Sequence, residues 1–125
     1  MTSQKIRKTV KMLIEESEED IDAVLLFGSE VTGETTSRSD IDICVVFKNP
    51  PTIREATLFR KRMLGKLPSN IDLQVFNTLP LKIKKQIADH HRTLYRSEEF
   101  DEFSFSRAQQ AIFSEFKHRM SKIEA

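Results

Sequence analysis

Three aspartates, Asp40, Asp42 and Asp72, stand in or at the start of runs that otherwise read as apolar strands. An ionised carboxylate in such surroundings is costly unless something compensates it. Asp40 and Asp42 are two positions apart, so on a strand both project from one face, roughly 7 Å apart along the backbone. If the strand of Asp72 lies alongside, three carboxylates converge and repel one another. Few Lys or Arg stand in the same strands, and the simplest compensating charge is a divalent cation. Oxygen-only ligands suit Mg²⁺ or Mn²⁺ and do not favour zinc. Magnesium in turn keeps waters and recruits substrate phosphates.

Upstream, Phe27-Gly28-Ser29 closes an apolar run. Glycine lets the backbone approach a ligand closely, with N–H groups and the serine hydroxyl pointing outward, and such groups suit a phosphate. A short helix beginning at Ser29 would add its dipole to the same place.

These residues need elements to position them. Ile6, Val10, Leu13 and Ile14 recur at helical spacing, which predicts a helix over about 4–17. Ala23 to Phe27 is a continuous apolar run and reads as a strand buried on both faces. From Asp40 to Phe47 a period of two sends Ile41, Ile43, Val45 and Phe47 to one face and Asp40, Asp42 and Cys44 to the other. A basic amphipathic helix follows between Thr52 and Leu67, then a third alternating strand over 71–76 that sets Asp72 opposite Ile71, Leu73 and Val75. After Pro80 comes a helix of about ten residues, then a short edge strand over 92–96. Ser97 is the N-cap candidate for a last helix striped by Phe105, Ala108, Ile112, Phe116, Met120 and Ile123. The order describes an α/β or α+β domain whose sheet is covered on one side.

The chain's 125 residues and 31% charged composition fit one domain over 1–125. Its core is expected over about 4–97, with an amphipathic C-terminal helix over about 98–123. One cysteine permits no disulfide framework, which suggests a reducing compartment. A net charge of +1 argues against stable nucleic-acid binding by global charge. No run approaches a membrane span and the start lacks the apolar stretch of a signal peptide, so the expected location is the cytoplasm.

Gly28-Ser29, ten residues (EVTGETTSRS), then Asp40-Ile41-Asp42 resembles the GS-x10-D-x-D signature of the DNA polymerase β-type nucleotidyltransferases. Asp72 falls where that superfamily has its third acid. The brevity, the SDID run and the ending LPLKIKKQIADHHRTLYRS are similar to the minimal nucleotidyltransferases, small partners of HEPN-domain proteins in toxin-antitoxin pairs. The similarity covers about residues 4–97. It implies a nucleotidyltransferase fold: a mixed sheet of three or four strands flanked by helices, here with an extra C-terminal helix. It also implies that Asp40 and Asp42 bind two Mg²⁺ ions, while Asp72 binds the catalytic metal or helps deprotonate the attacking hydroxyl. Gly28, Ser29, Arg38 and Ser39 would hold the nucleotide.

One departure stands out: many minimal family members follow GS with arginine, whereas Glu30 stands here. It either faces inward, against the triphosphate, or faces solvent. Arg38 or the basic helix of Arg60 to Arg62 would compensate. Other residues read as structural. Cys44 is a small buried hydrophobe, His90 and His91 are exposed helix residues, and Tyr95 carries no chemistry. Five phenylalanines crowd residues 100–116; they pack on the domain, or they face an oligomer or a HEPN partner.

What the resemblance implies is transfer of a nucleoside monophosphate, AMP from ATP or that of another nucleoside triphosphate, to a hydroxyl of a protein acceptor. That acceptor would be a tyrosine of a HEPN toxin, silenced by the modification. The alternatives are a non-catalytic antitoxin that masks its toxin and a stand-alone transferase for a small molecule.

Overall fold

The computed structural model describes residues 3–33 and 40–124. Helix α1 (Gln4–Ser17) is capped by Ser3, whose hydroxyl accepts from the Ile6 amide at 3.2 Å. Strand β1 (Ile21–Phe27) leads through Gly28 into the single turn α2 (Ser29–Thr32). Strand β2 (Ile41–Phe47) is followed by α3 (Ile53–Leu64) and β3 (Ile71–Val75). Helix α4 (Leu81–Asp89), edge strand β4 (Arg92–Arg96) and the long α5 (Glu102–Glu124) complete the chain.

The start of α3 is set by a reciprocal cap. Thr52 Oγ1 accepts from the Glu55 amide at 3.1 Å, and Glu55 Oε1 accepts from the Thr52 amide at 2.9 Å. The last helix starts later than Ser97. Asp101 caps it, its carboxylate accepting from the Phe103 and Ser104 amides at 3.0 and 3.2 Å. Ser97 instead ties the end of β4 to β1: its amide donates to the Asp22 carbonyl and its hydroxyl to the Asp22 carboxylate.

The four strands lie in the order β3-β2-β1-β4; β2 and β3 are parallel, and β1 runs antiparallel to both neighbours. Only the parallel pair needs a crossover, and α3 supplies it. Asn77 lengthens that pairing past the end of β3, accepting from the Phe47 amide at 2.9 Å and donating to its carbonyl at 3.1 Å.

The sheet is covered on both faces, not on one as the order of elements suggests. On one face Ile6 and Leu13 of α1 and Phe59 and Met63 of α3 pack with Val24, Leu26, Ile43, Val45 and Leu73 of the strands. Under α4 and the start of α5, a second layer joins Ala23, Leu25, Cys44, Val46, Phe76, Ile87 and Phe100. Phe105 extends it, its ring centroid 4.9 Å from that of Phe76 and 5.2 Å from that of Phe100. The C-terminal aromatic cluster is thus partly core. This second layer stops short of Asp42 and Asp72, which remain half-buried at one edge of the same face.

Candidate active site

Strand register brings the chemistry-bearing residues into one row. Phe27 at the end of β1 pairs with Asp42, and Asp42 pairs with Asp72 across the parallel ladder. Because β2 and β3 run the same way, both aspartates turn to the face of Cys44 and Gln74. The adjoining strand ends are held by Asn70, a left-handed residue with φ 57°. Its carbonyl accepts from the Ile41 amide at 2.8 Å and its side chain accepts from Lys5 at 2.6 Å.

Gly28 turns the chain away from β1 with φ 74° and ψ −150°, a conformation that favours glycine. The packing demands it as strictly. A Cβ at this position would lie 2.1 Å from Asp42 Oδ2. The Gly28 carbonyl then accepts from the Val31 and Thr32 amides at 3.0 and 3.1 Å, closing the turn that Ser29 opens. The bend and the carboxylate are therefore in direct apposition.

Asp42 pays for its place electrostatically. Burial, then the neighbouring charge of Asp72 and the hydrogen bond shared with it, and last the charge of Asp40, push its pKa up to about 6. Gln74 Nε2 donates to both Asp72 oxygens, at 3.3 and 3.5 Å. Among the described residues no Lys or Arg forms an ion pair with Asp40, Asp42 or Asp72. Two apposed, unneutralised carboxylates beside a bend that admits no side chain form a donor set suited to a hard cation shared with phosphate oxygens.

The third carboxylate is less close. Asp40 precedes β2 and is exposed, and no group of three or more His, Cys, Asp or Glu among the described residues is gathered tightly enough to hold a metal alone. Convergence is thus a pair with Asp40 at its margin, because the two-residue strand spacing keeps Asp40 a full pleat beyond Asp42. Arg38 and Ser39 lie outside the described residues.

Other expectations change. Glu30 is exposed, in the first turn of α2. The basic face of α3 does not compensate it: Arg60 donates to the Leu73 carbonyl at 2.8 Å, and Arg62 pairs with Glu16 at 2.7 Å, both on the α1–α3 side of the sheet. Burial pushes the Cys44 thiol up, as befits an inert core residue. His90 is exposed beyond the end of α4, but His91 is not: its side chain is 5% exposed, with Nδ1 2.8 Å from the Ile87 carbonyl and Nε2 2.8 Å from Glu102.

A cleft of about 610 Å³ opens beside the bend, lined by Phe27, Gly28 and Thr32 on one side and by Ile83, Lys85, Gln86 and His90 from α4 and its end on the other. Lys85 pairs with Asp89, whose carboxyl is held below the usual range by Lys85 and by Gln110, which donates to it at 2.9 Å. Sequence reasoning missed these α4 residues. Their only signal is an ordinary amphipathic pattern after Pro80.

The sequence model of the polymerase beta nucleotidyltransferase family matches residues 5–100, from α1 to the buried Phe100. The chain belongs to this family. A Methanocaldococcus jannaschii relative, named "Putative protein adenylyltransferase", is 40% identical over 75 residues, 60% of this chain and 56% of that protein. The chain therefore spans little more than half the length of that relative. Among solved structures, a chain of a toxin-antitoxin complex with AMP-PNP superposes with a TM-score of 0.74 at 17% identity, over 97% of this chain and 95% of that one. A chain of the complex between a tri-AMPylated Shewanella oneidensis HEPN toxin and an MNT antitoxin gives 0.66 at 17% identity, over 94% and 93%. At such identity the likeness is one of fold. The nucleotidyltransferase fold, with its four-stranded mixed sheet and C-terminal helix, is as the motif implies.

Proposed function

We propose that this chain is a Mg²⁺-dependent nucleotidyltransferase that moves AMP from ATP to a hydroxyl of a protein acceptor, a tyrosine of a HEPN toxin, and so acts as the antitoxin. The observation that carries the reading is the apposition of Asp42 with both Asp72 and Gly28. The adenylyltransferase name of the relative and the toxin-antitoxin complexes among the structural neighbours support the choice of nucleotide and partner.

Asp40, Asp42 and Asp72 would hold two Mg²⁺ ions, or Mn²⁺ in their stead. When bound, such ions supply positive charge to the attacking and leaving oxygens of a displacement at phosphorus. Gly28 and Ser29 receive the phosphates by the motif, and a side chain at 28 would displace the Asp42 carboxylate beside them. Arg38 and Ser39 are assigned to the same nucleotide by the motif. The acceptor oxygen bonds to the α-phosphorus as the bond to the β-phosphate oxygen breaks; pyrophosphate leaves, and the hydroxyl proton passes to Asp72 or to water. The cleft between the bend and α4 is within the range of small-ligand sites and suits the nucleoside or the acceptor ring.

Incubating the purified chain with α-labelled ATP, Mg²⁺ and a co-expressed HEPN partner tests the reading on one gel. Label on the partner, lost on tyrosine substitution there and in Asp42→Asn, is the expected result. A stable but unlabelled complex would mean masking without transfer.

A further inference from the structure

The cleft beside the bend begins where the carboxylate pair ends, since Phe27 on its wall is the ladder partner of Asp42. Phe27 and, on the facing wall, Ile83 are both half-buried, and both pack on the second core layer. The cleft thus has an apolar side chain on each wall. Its one lysine and its one aspartate, Lys85 and Asp89, neutralise each other, and Asp89 is further occupied by Gln110 of α5. Gln86 and His90 are exposed, and among the described residues neither side chain meets a hydrogen-bond partner.

The helix that carries Gln86 is fixed in place. The next two residues, Ile87 and Ala88, are buried; the Ile87 carbonyl lies 2.8 Å from His91 Nδ1, and the Ala88 carbonyl accepts from Ser106 Oγ at 3.2 Å. A side chain on so anchored an element is held more precisely than one on a loop.

Three occupants compete for this cleft. Phosphates call for net positive charge, which a lining whose lysine is already paired does not supply. A tyrosine ring offers a single hydroxyl, which the transfer consumes, and would leave the uncommitted amide of Gln86 with nothing to bond. A purine base has two apolar faces for Phe27 and Ile83 and an edge on which donor and acceptor stand side by side, as they do on a glutamine amide.

We propose that the cleft is where the base of the donor nucleotide is read and that Gln86 selects adenine, an inference that rests on the nucleotidyltransferase reading above. The amide oxygen of Gln86 accepts from the 6-amino group and its N–H donates to the adjoining ring nitrogen, with the purine held between Phe27 and Ile83. A site built to bond that amine discriminates against a purine without it, because the glutamine oxygen is then left unpaired. Gln86 touches no reacting atom, so its contribution is to specificity and affinity.

Isothermal titration on the full chain in Mg²⁺, with no acceptor present, tests it. ATP is compared with purine riboside triphosphate, which lacks only the 6-amino group. Wild type is expected to bind ATP about tenfold more tightly than the analogue, and Gln86→Leu to bind the two equally. Because Gln86 is exposed, the variant should melt as wild type does; Gln86→Ala, which adds no apolar surface, repeats the comparison. A wild type that binds both nucleotides alike, or variants that keep the preference for ATP, overturns the role of Gln86 and leaves the reading of the bend and the carboxylates in place. A wild type that takes up neither nucleotide overturns that reading, and this inference with it.

Discussion

Gly28 and Asp42 are packed so closely that any side chain at position 28 would displace the carboxylate, its Cβ falling 2.1 Å from Asp42 Oδ2. Gly28→Ala is therefore expected to impair the site twice, through the strain of a positive φ and through the moved carboxylate. Transfer should fall at least tenfold, on the scale that small displacements of positioned groups cost, with the melting temperature lowered by only a few degrees. Isothermal titration with a non-hydrolysable ATP analogue and Mg²⁺, set beside thermal melting, separates the two effects.

Asp72 destabilises its neighbour when both are ionised. Asp72→Asn removes that repulsion and is expected to leave the metal-free protein as stable as the wild type or more so at neutral pH, while abolishing both the thermal shift on adding Mg²⁺ and the transfer reaction. Differential scanning fluorimetry with and without MgCl₂ reads the first two. A variant that melts lower than wild type without metal would contradict the charge assignment.

The raised pKa of Asp42 has a definite sign. Its folded value, about 6, lies above the ordinary value of 3.8 for such a carboxyl. Its contribution to stability is thus fully present below that lower value and is lost as pH rises through about 6. The melting temperature of wild type minus that of Asp42→Asn, without metal, should fall between pH 4 and pH 7. The stabilisation by added Mg²⁺ should grow over the same interval, because the cation competes with a proton. Asp89 and Asp101, whose carboxyls are held below the usual range, contribute in the opposite direction, which is why the difference from the variant is the quantity to follow.

The cap of α3 is independent of the site. Thr52→Ala removes one half of the reciprocal pair with Glu55 and is expected to cost about 1 kcal/mol, seen as a lower urea midpoint with an unchanged slope. Leu73→Ala, by contrast, empties a fully buried position between α3 and the sheet and should cost about 2–5 kcal/mol.

Much of the site is legible because its signals are local. The alternation around Asp42 and Asp72 sets the face each carboxylate takes, and Gly28-Ser29 after an apolar run marks where that strand stops. What alternation cannot show is what lies over a face. Cys44 shares the face of Asp42 and its residue type marks it as buried, but the residues that seal it, Phe76, Ile87 and Phe100, come from distant parts of the chain. His91 sits beside the exposed His90 and is itself covered, because the chain turns from helix to strand between them. Ser97 has the right type for a cap, but the Asp22 carboxylate takes its hydroxyl and Asp101 serves the helix instead. The α4 wall of the cleft depends on where a helix docks, which long-range packing decides.

The two apposed carboxylates lie thirty positions apart in the chain, joined only by the α3 crossover and a parallel ladder in which Asp42 stands against Asp72. A slip of that ladder by a single position would turn Asp72 to the opposite side of the sheet and leave Asp42 alone. On the proposed function, the centre would therefore not mature piecemeal: a nascent chain still lacking its third strand holds half of the carboxylate pair, and transfer would begin only when the last parallel pairing has locked.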